Sequence, residues 1–211
     1  MFTARERDME ILFVRHGETE ANLTNLYYGR LDYSLTKLGK EQAKKAGNLV
    51  RMMNFNPDRI IVSGLIRTHE TLGHMGYDIE EAEREPRINE RDLGILEGYT
   101  YPQIIEMYPN LFQDWRDNWM DFTPEEGESQ RIFSGRIKEF LEELKTYEGE
   151  LGKVLVVTHG GTMKTIISII LGDVAFSFNL LEIYNCSILR VRLKEGVYLI
   201  DALYNVVDFD I

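Results

Sequence analysis

A single cysteine, Cys186, stands among the 211 residues, so no disulfide can form within the chain and a reducing compartment is the expected setting. Long apolar runs are missing as well. The most apolar stretch, around Ile166 to Leu171, is far shorter than the ~18 residues that a membrane span requires. Positive charge is scarce: 24 Lys and Arg against 35 Asp and Glu leave a formal charge of −11. That balance argues against nucleic acid or an anionic membrane as partner, since both are polyanions. If the substrate is also an anion, the few cations have to be gathered inside a cleft. With only 5 prolines and no linker-like tract, and no repeat, residues 1–211 read as one domain. The segment Met1 to Glu10 is charged and lacks the apolar centre of a signal peptide, so a cytoplasmic protein is expected.

What is present is an alternation of strands and helices. Ile11–Val14, Arg59–Ser63 and Val154–Thr158 are short apolar runs of the kind found in strands covered on both faces. Apolar stripes at helical spacing lie between them, through Ala43, Ala46, Leu49, Val50 and Met53 and again through Phe133, Ile137, Phe140, Leu141 and Leu144. Arg67 to Met75 reads as a shorter helix, and Thr162 to Leu171 as a buried one. Ser187–Leu193 and Val197–Ile200, joined by Glu195-Gly196, read as a hairpin. The pattern predicts an α/β protein: a three-layer α/β/α fold around a mixed, mostly parallel sheet flanked by helices.

Two of these strands run into a histidine backed by glycine. The first gives Arg15-His16-Gly17-Glu18-Thr19, and the second gives Thr158-His159-Gly160-Gly161. Strand exits are where open α/β sheets bind ligands, so the two halves of the chain are expected to build one site. Further signals follow in order: Asn22, Gly29-Arg30, Leu35-Thr36-Lys37-Leu38-Gly39, Ser63-Gly64-Leu65-Ile66-Arg67-Thr68, Asn89-Glu90-Arg91-Asp92-Leu93-Gly94 and Gly127-Glu128-Ser129.

In this order and spacing the sequence resembles the histidine phosphatase superfamily, the phosphoglycerate-mutase-like proteins, from about Glu10 to Leu193. The resemblance implies that His16 is the nucleophile that becomes phosphohistidine and that Glu90 gives a proton to the departing alkoxide. It also implies phosphate contacts from Arg15, Arg67, His159 and Asn22, with Gly29, Arg30 and Gly160 among the substrate-binding positions. Because Gly160 follows His159 where a second branch carries an aspartate, the chain resembles the branch whose proton donor lies mid-sequence.

Elementary chemistry agrees with these roles. Phosphoryl transfer needs positioned positive charge and an in-line nucleophile. Arginine offers a planar fork suited to phosphate, which lysine does not. His16 can attack only through a neutral nitrogen, so its other nitrogen should donate to a backbone carbonyl. Glu90 would have to hold a proton near neutral pH, with Asp92 and Glu97 as the fallback acids. Two arginines and a histidine supply the charge, so no metal or other cofactor is expected. A metallohydrolase with His16, His159 and Glu90 as ligands is the alternative that chelation would reveal. His69 and His74 are poorly spaced for a shared metal and read as helix-surface residues, Cys186 as a small buried hydrophobe, and Ser129 as a helix cap.

The segment 99–126 reads as a lid. It holds no lysine, one arginine (Arg116), both tryptophans (Trp115 and Trp119) and the acids Glu106, Asp114, Asp117, Asp121, Glu125 and Glu126. Such a lid would repel a second anionic group on the substrate and welcome a cyclic, uncharged remainder. A metal-independent phosphomonoester hydrolase acting on a small cytoplasmic ester is therefore expected, as monomer or homodimer. Phosphoglycerate mutase activity is the alternative. The segment also resembles the α-ribazole-phosphate phosphatases, and a catalytically inactive binding protein is a more distant alternative, because all five core residues are present.

Overall fold

The computed structural model describes residues 8–206. Six strands form one sheet in the order β3-β2-β4-β1-β5-β6. They are β1 (Met9–Arg15), β2 (Arg59–Val62), β3 (Glu83–Arg84), β4 (Lys153–Thr158), β5 (Ile188–Lys194) and β6 (Val197–Tyr204). β1 to β4 run parallel, and the β5–β6 hairpin joins antiparallel at β1. The helices are α1 (Glu20–Leu23), α2 (Lys37–Met52), α3 (Ile66–Met75), α4 (Tyr101–Met107), α5 (Pro109–Asp117), α6 (Gln130–Lys145), α7 (Gly160–Leu171) and α8 (Val174–Ser177).

The strand period of two sorts β1 between two cores. Met9, Ile11 and Phe13 face Phe133, Ile137 and Phe140 of α6 and Met163 and Ile166 of α7. Leu12 and Val14 face Ala43, Ala46 and Val50 of α2 and Leu72 and Met75 of α3. All of these are essentially buried. The result is the expected three-layer α/β/α arrangement with a mixed, mostly parallel sheet. Ser129 caps α6 by accepting from the Ile132 N–H at 3.1 Å, and Cys186 is buried. No helix among the described residues is long and apolar enough to cross a membrane.

Two details lay outside the sequence reading. The lid has a core of its own: α4 and α5 fold over a small third core of Leu96, Ile104 and Phe122, on which Tyr27, Tyr99 and Trp115 pack. β3 was not expected, because two charged residues carry no apolar signal.

Candidate active site

Parallel pairing sets the register of the site. Arg15 stands beside Thr158, and the next backbone N–H, that of His16, donates to Thr158 O at 2.9 Å. The two strand exits thereby place the His16 and His159 rings 5.3 Å apart between centroids. Gly17 is needed here for closeness rather than for an unusual turn, since a Cβ would stand 2.4 Å from Gly39 O at the start of α2.

His16 is 2% exposed. Its Nδ1 lies 2.8 Å from Gly17 O, and a carbonyl only accepts, so Nδ1 carries the proton and Nε2 keeps the lone pair. Burial, and after it the charges of Arg67 and Arg15, push the imidazole well below its ordinary pKa. The expected neutral tautomer is therefore fixed by geometry. Asn185, which the sequence reading passed over, donates to His16 O at 3.2 Å and to Asn22 Oδ1 at 3.3 Å.

Arg67 and His159 are bonded to protein groups and to each other. Arg67 is fully buried and its donors are engaged by protein: Nη2 with Gly29 O at 2.6 Å, Nη1 with Leu31 O at 3.0 Å, and Nε with His159 Nδ1 at 3.2 Å. His159 Nδ1 accepts that bond, so Nε2 carries the proton and donates to Ser63 Oγ at 2.7 Å. Ser63 in turn is 2.9 Å from Thr68 Oγ1. Neither ring nitrogen has a free N–H in this arrangement. For His159 to donate to a phosphoryl oxygen, Arg67 Nε would have to leave Nδ1 and Ser63 would have to become the donor. His159 is likewise pushed well below the ordinary imidazole pKa, first by burial and then by Arg67 and His16.

Arg15 is the arginine with capacity left. One guanidinium nitrogen donates to Ile183 O, while its buried Nε has no hydrogen-bond partner. Gly160 makes room for it, since a Cβ there would stand 3.2 Å from Arg15 Nε. Asn22 has its Oδ1 fixed by the Thr19 N–H at 3.0 Å and the Tyr28 hydroxyl at 3.0 Å, which directs the amide through its Nδ2 end.

Glu90 sits at the start of α7. Its Oε2 accepts from Gly161 N at 2.8 Å and its Oε1 from Arg91 N at 3.1 Å. The fallback acids are committed elsewhere. Glu97 accepts from the backbone N–H groups of Arg30, Leu31 and Leu93 at 2.7–2.9 Å, and Asp92 pairs with Arg30 at 2.8 Å. In the same pair Arg30, expected at the substrate, turns its exposed guanidinium to Asp92. Gly29 is buried and closely packed, and a Cβ there would overlap Arg91 O.

A cavity of about 640 Å³ opens beside Glu90 and Gly161. Tyr28 and Glu90 join it to the histidine pair, Tyr28 facing His16 at 6.3 Å between ring centroids. Trp115 lines the cavity and also packs the lid, stacked on Phe122 at 5.9 Å and edge-on to Tyr27 at 5.7 Å. Trp119 meets Phe178, beyond α8, at 5.6 Å. The lid's acids do not face this space. Glu106, Asp114, Asp117, Asp121, Glu125 and Glu126 are all exposed, and Asp117 and Asp121 pair with Arg116 and Arg131. Among the cavity walls the charges are Glu90 against Arg91, Arg116 and Lys164. The expected repulsion of a second anion is thus overturned, because a residue count cannot tell the outer face of a lid from the inner one. No cluster of three or more His, Cys, Asp or Glu residues that could hold a metal occurs among the described residues.

The histidine pair, the arginines and the glutamate at a helix start coincide with a match over nearly the whole chain: the model of the histidine phosphatase superfamily (branch 1) covers residues 11–206. The chain belongs to that superfamily. With it comes the activity class, that of a phosphatase-type enzyme. The chain is 31% identical over 200 residues to a protein of Enterobacter sp. (strain 638) named "Probable phosphoglycerate mutase GpmB", covering 90% of this chain and 88% of that one. It is 31% identical over 192 residues to the adenosylcobalamin/alpha-ribazole phosphatase of Salmonella typhimurium, with the same coverage of 90% and 88%. In structure it is similar to the alpha-ribazole phosphatase of Shigella flexneri, with a TM-score of 0.86 at 25% identity, covering 94% of this chain and 97% of that one.

Proposed function

We propose that this enzyme hydrolyses small phosphomonoesters without a metal, through a phosphohistidine formed on His16 Nε2. The observation that carries the reading is the 2.8 Å bond between His16 Nδ1 and Gly17 O, which presents a neutral, correctly oriented nucleophile beside the unpartnered Nε of Arg15. Nε2 attacks phosphorus and the ester P–O bond breaks. Glu90, oriented by Gly161 N, gives a proton to the departing oxygen. Water then attacks the phosphohistidine, Glu90 takes back a proton, and inorganic phosphate leaves. Arg15, Asn22 and, after rearrangement, Arg67 and His159 bind the phosphoryl oxygens.

The aromatic wall of Trp115, Trp119 and Phe178 favours an alcohol with a flat or apolar body, and α-ribazole 5′-phosphate, the ester that the named phosphatase relatives suggest, is one candidate. Mutase activity is the second reading, supported by the GpmB-named relative. Rapid acid quenching with a ³²P-labelled ester in the presence of EDTA tests the proposal. A labelled, acid-labile phosphoenzyme is expected in the wild type and none in His16→Ala. Turnover abolished by EDTA, or label retained in the variant, would overturn it. Interconversion of 2- and 3-phosphoglycerate faster than phosphate release would select the mutase.

A further inference from the structure

Lys164 belongs to no motif in the sequence reading, yet it stands on α7 one turn after Gly161 and lines the cavity. It is half-buried. Its Nζ lies over the Phe178 ring at 5.4 Å from the centroid. No hydrogen bond or ion pair holds it among the described residues. The other two cations of the cavity are already satisfied: Arg91 donates to the carbonyls of Glu128 and Phe122 at 3.0 and 3.1 Å, and Arg116 pairs with Asp117. The charged groups that act on Lys164 are Arg15, Glu182 and Glu90. Of the two acids, Glu90 accepts from Gly161 and Arg91, and Glu182 is exposed and takes the Tyr184 hydroxyl at 2.8 Å. An ammonium drawn partly out of water without a carboxylate to meet it favours an anionic ligand.

We propose that Lys164 reads a second anionic group, a carboxylate or a further phosphate, on the alcohol part of the substrate, whose body lies against Trp115, Trp119 and Phe178. The inference deepens the phosphomonoesterase reading and rests on it for the word substrate. Within that reading it favours such esters over neutral nucleoside phosphates, the α-ribazole candidate included, whose alcohol would leave Lys164 without a partner.

Both tryptophans of the chain line the cavity, so intrinsic fluorescence reports its occupancy without any turnover. The wild type should bind 4-hydroxybenzoate at least about tenfold more tightly than its neutral isostere 4-hydroxybenzamide, a ratio set by a partly screened charge pair. In Lys164→Gln, checked for an unchanged thermal midpoint, the ratio should fall to within about twofold. In turnover, the same substitution should lower kcat/KM for 4-carboxyphenyl phosphate at least about tenfold more than for 4-carbamoylphenyl phosphate. Equal binding of the two phenols by the wild type, or an unchanged ratio in the variant, would overturn the subsite. Equal falls for both esters would also overturn it and would put Lys164 on the transferred phosphoryl group. A wild-type binding ratio that collapses in the variant, with neither ester hydrolysed by the wild type, would support the subsite and sink the hydrolase reading instead.

Discussion

Glu90 lies directly over Gly161, accepting its N–H at 2.8 Å through Oε2, and a Cβ at 161 would stand 2.4 Å from Glu90 Oε1. The obstacle to a larger residue is the end of a flexible side chain, not backbone. Gly161→Ala should therefore fold normally while swinging the carboxyl aside. We expect kcat for alkyl phosphates to fall about 10²-fold, with a smaller loss on aryl phosphates, whose leaving group needs little protonation. Steady-state kinetics on both ester types, alongside a thermal melt, checks this. Equal activity on alkyl phosphates would separate Glu90's position from the chemistry.

Glu90→Gln keeps both hydrogen-bond acceptance at one oxygen and the side-chain shape, but carries no transferable proton. Its expected cost is about 10²–10⁴-fold on esters with poor leaving groups and much less on 4-nitrophenyl phosphate. A plot of log kcat against leaving-group pKa should steepen in the variant. An unchanged slope would remove Glu90 from the proton-transfer role, and no second acid is waiting nearby, because Asp92 and Glu97 are tied to Arg30 and to backbone N–H groups.

The two buried histidines give stability a defined pH dependence. Both have folded-state pKa values well below 6.5, with burial the largest cause. The unfolded chain then binds more protons than the folded one as soon as pH drops through about 6.5, so stability is full above that value and is lost as pH falls toward the depressed folded pKa. The slope reaches about 1.4 kcal/mol per pH unit for each group in that window. Thermal melts between pH 7.5 and 5 should show a falling midpoint in the wild type and a shallower fall in His159→Gln. The acid limb of kcat/KM should likewise lie below the range of an ordinary histidine.

Arg67 is placed to hold the fold as much as to meet a ligand. Its removal leaves Gly29 O and Leu31 O without donors and releases His159 Nδ1. We expect Arg67→Met to destabilise by about 3–5 kcal/mol, measured by urea denaturation, whereas a merely ligand-binding arginine would cost little in the free enzyme.

β1, β2, β4, the β5–β6 hairpin and the helices α2, α3, α6 and α7 were legible in the sequence because each core face obeys its period: Met9, Ile11 and Phe13 on one side of β1, Leu12 and Val14 on the other. The His16 tautomer was legible too, since the chemistry leaves one arrangement open and Gly17 O supplies it. Non-local partners were not. That Arg67 spends its fork on the loop at Gly29 and Leu31, and that Ser63 accepts the hydrogen bond of the His159 Nε2–H, follows from packing across separations of 38 and 96 residues. Motif spacing encodes which residues gather but not which donors they exhaust. Lys164 looked like any helix lysine, and only the placement of Trp119 and Phe178 turns it inward. The acids of the lid misled for the opposite reason, being counted before their face was known.

The backbone of the nucleophile is clamped by late-arriving neighbours. His16 N–H bonds to Thr158 O, and His16 O accepts from the Cys186 N–H at 3.2 Å. During synthesis the first strand therefore waits, exposed and unpaired, until most of the chain has left the ribosome. Its apolar residues are a target for chaperones throughout that interval, and the long closure distance slows the final assembly. A chain that stops before Cys186 holds every early motif yet lacks one of the two backbone bonds that fix the nucleophile's own peptide groups.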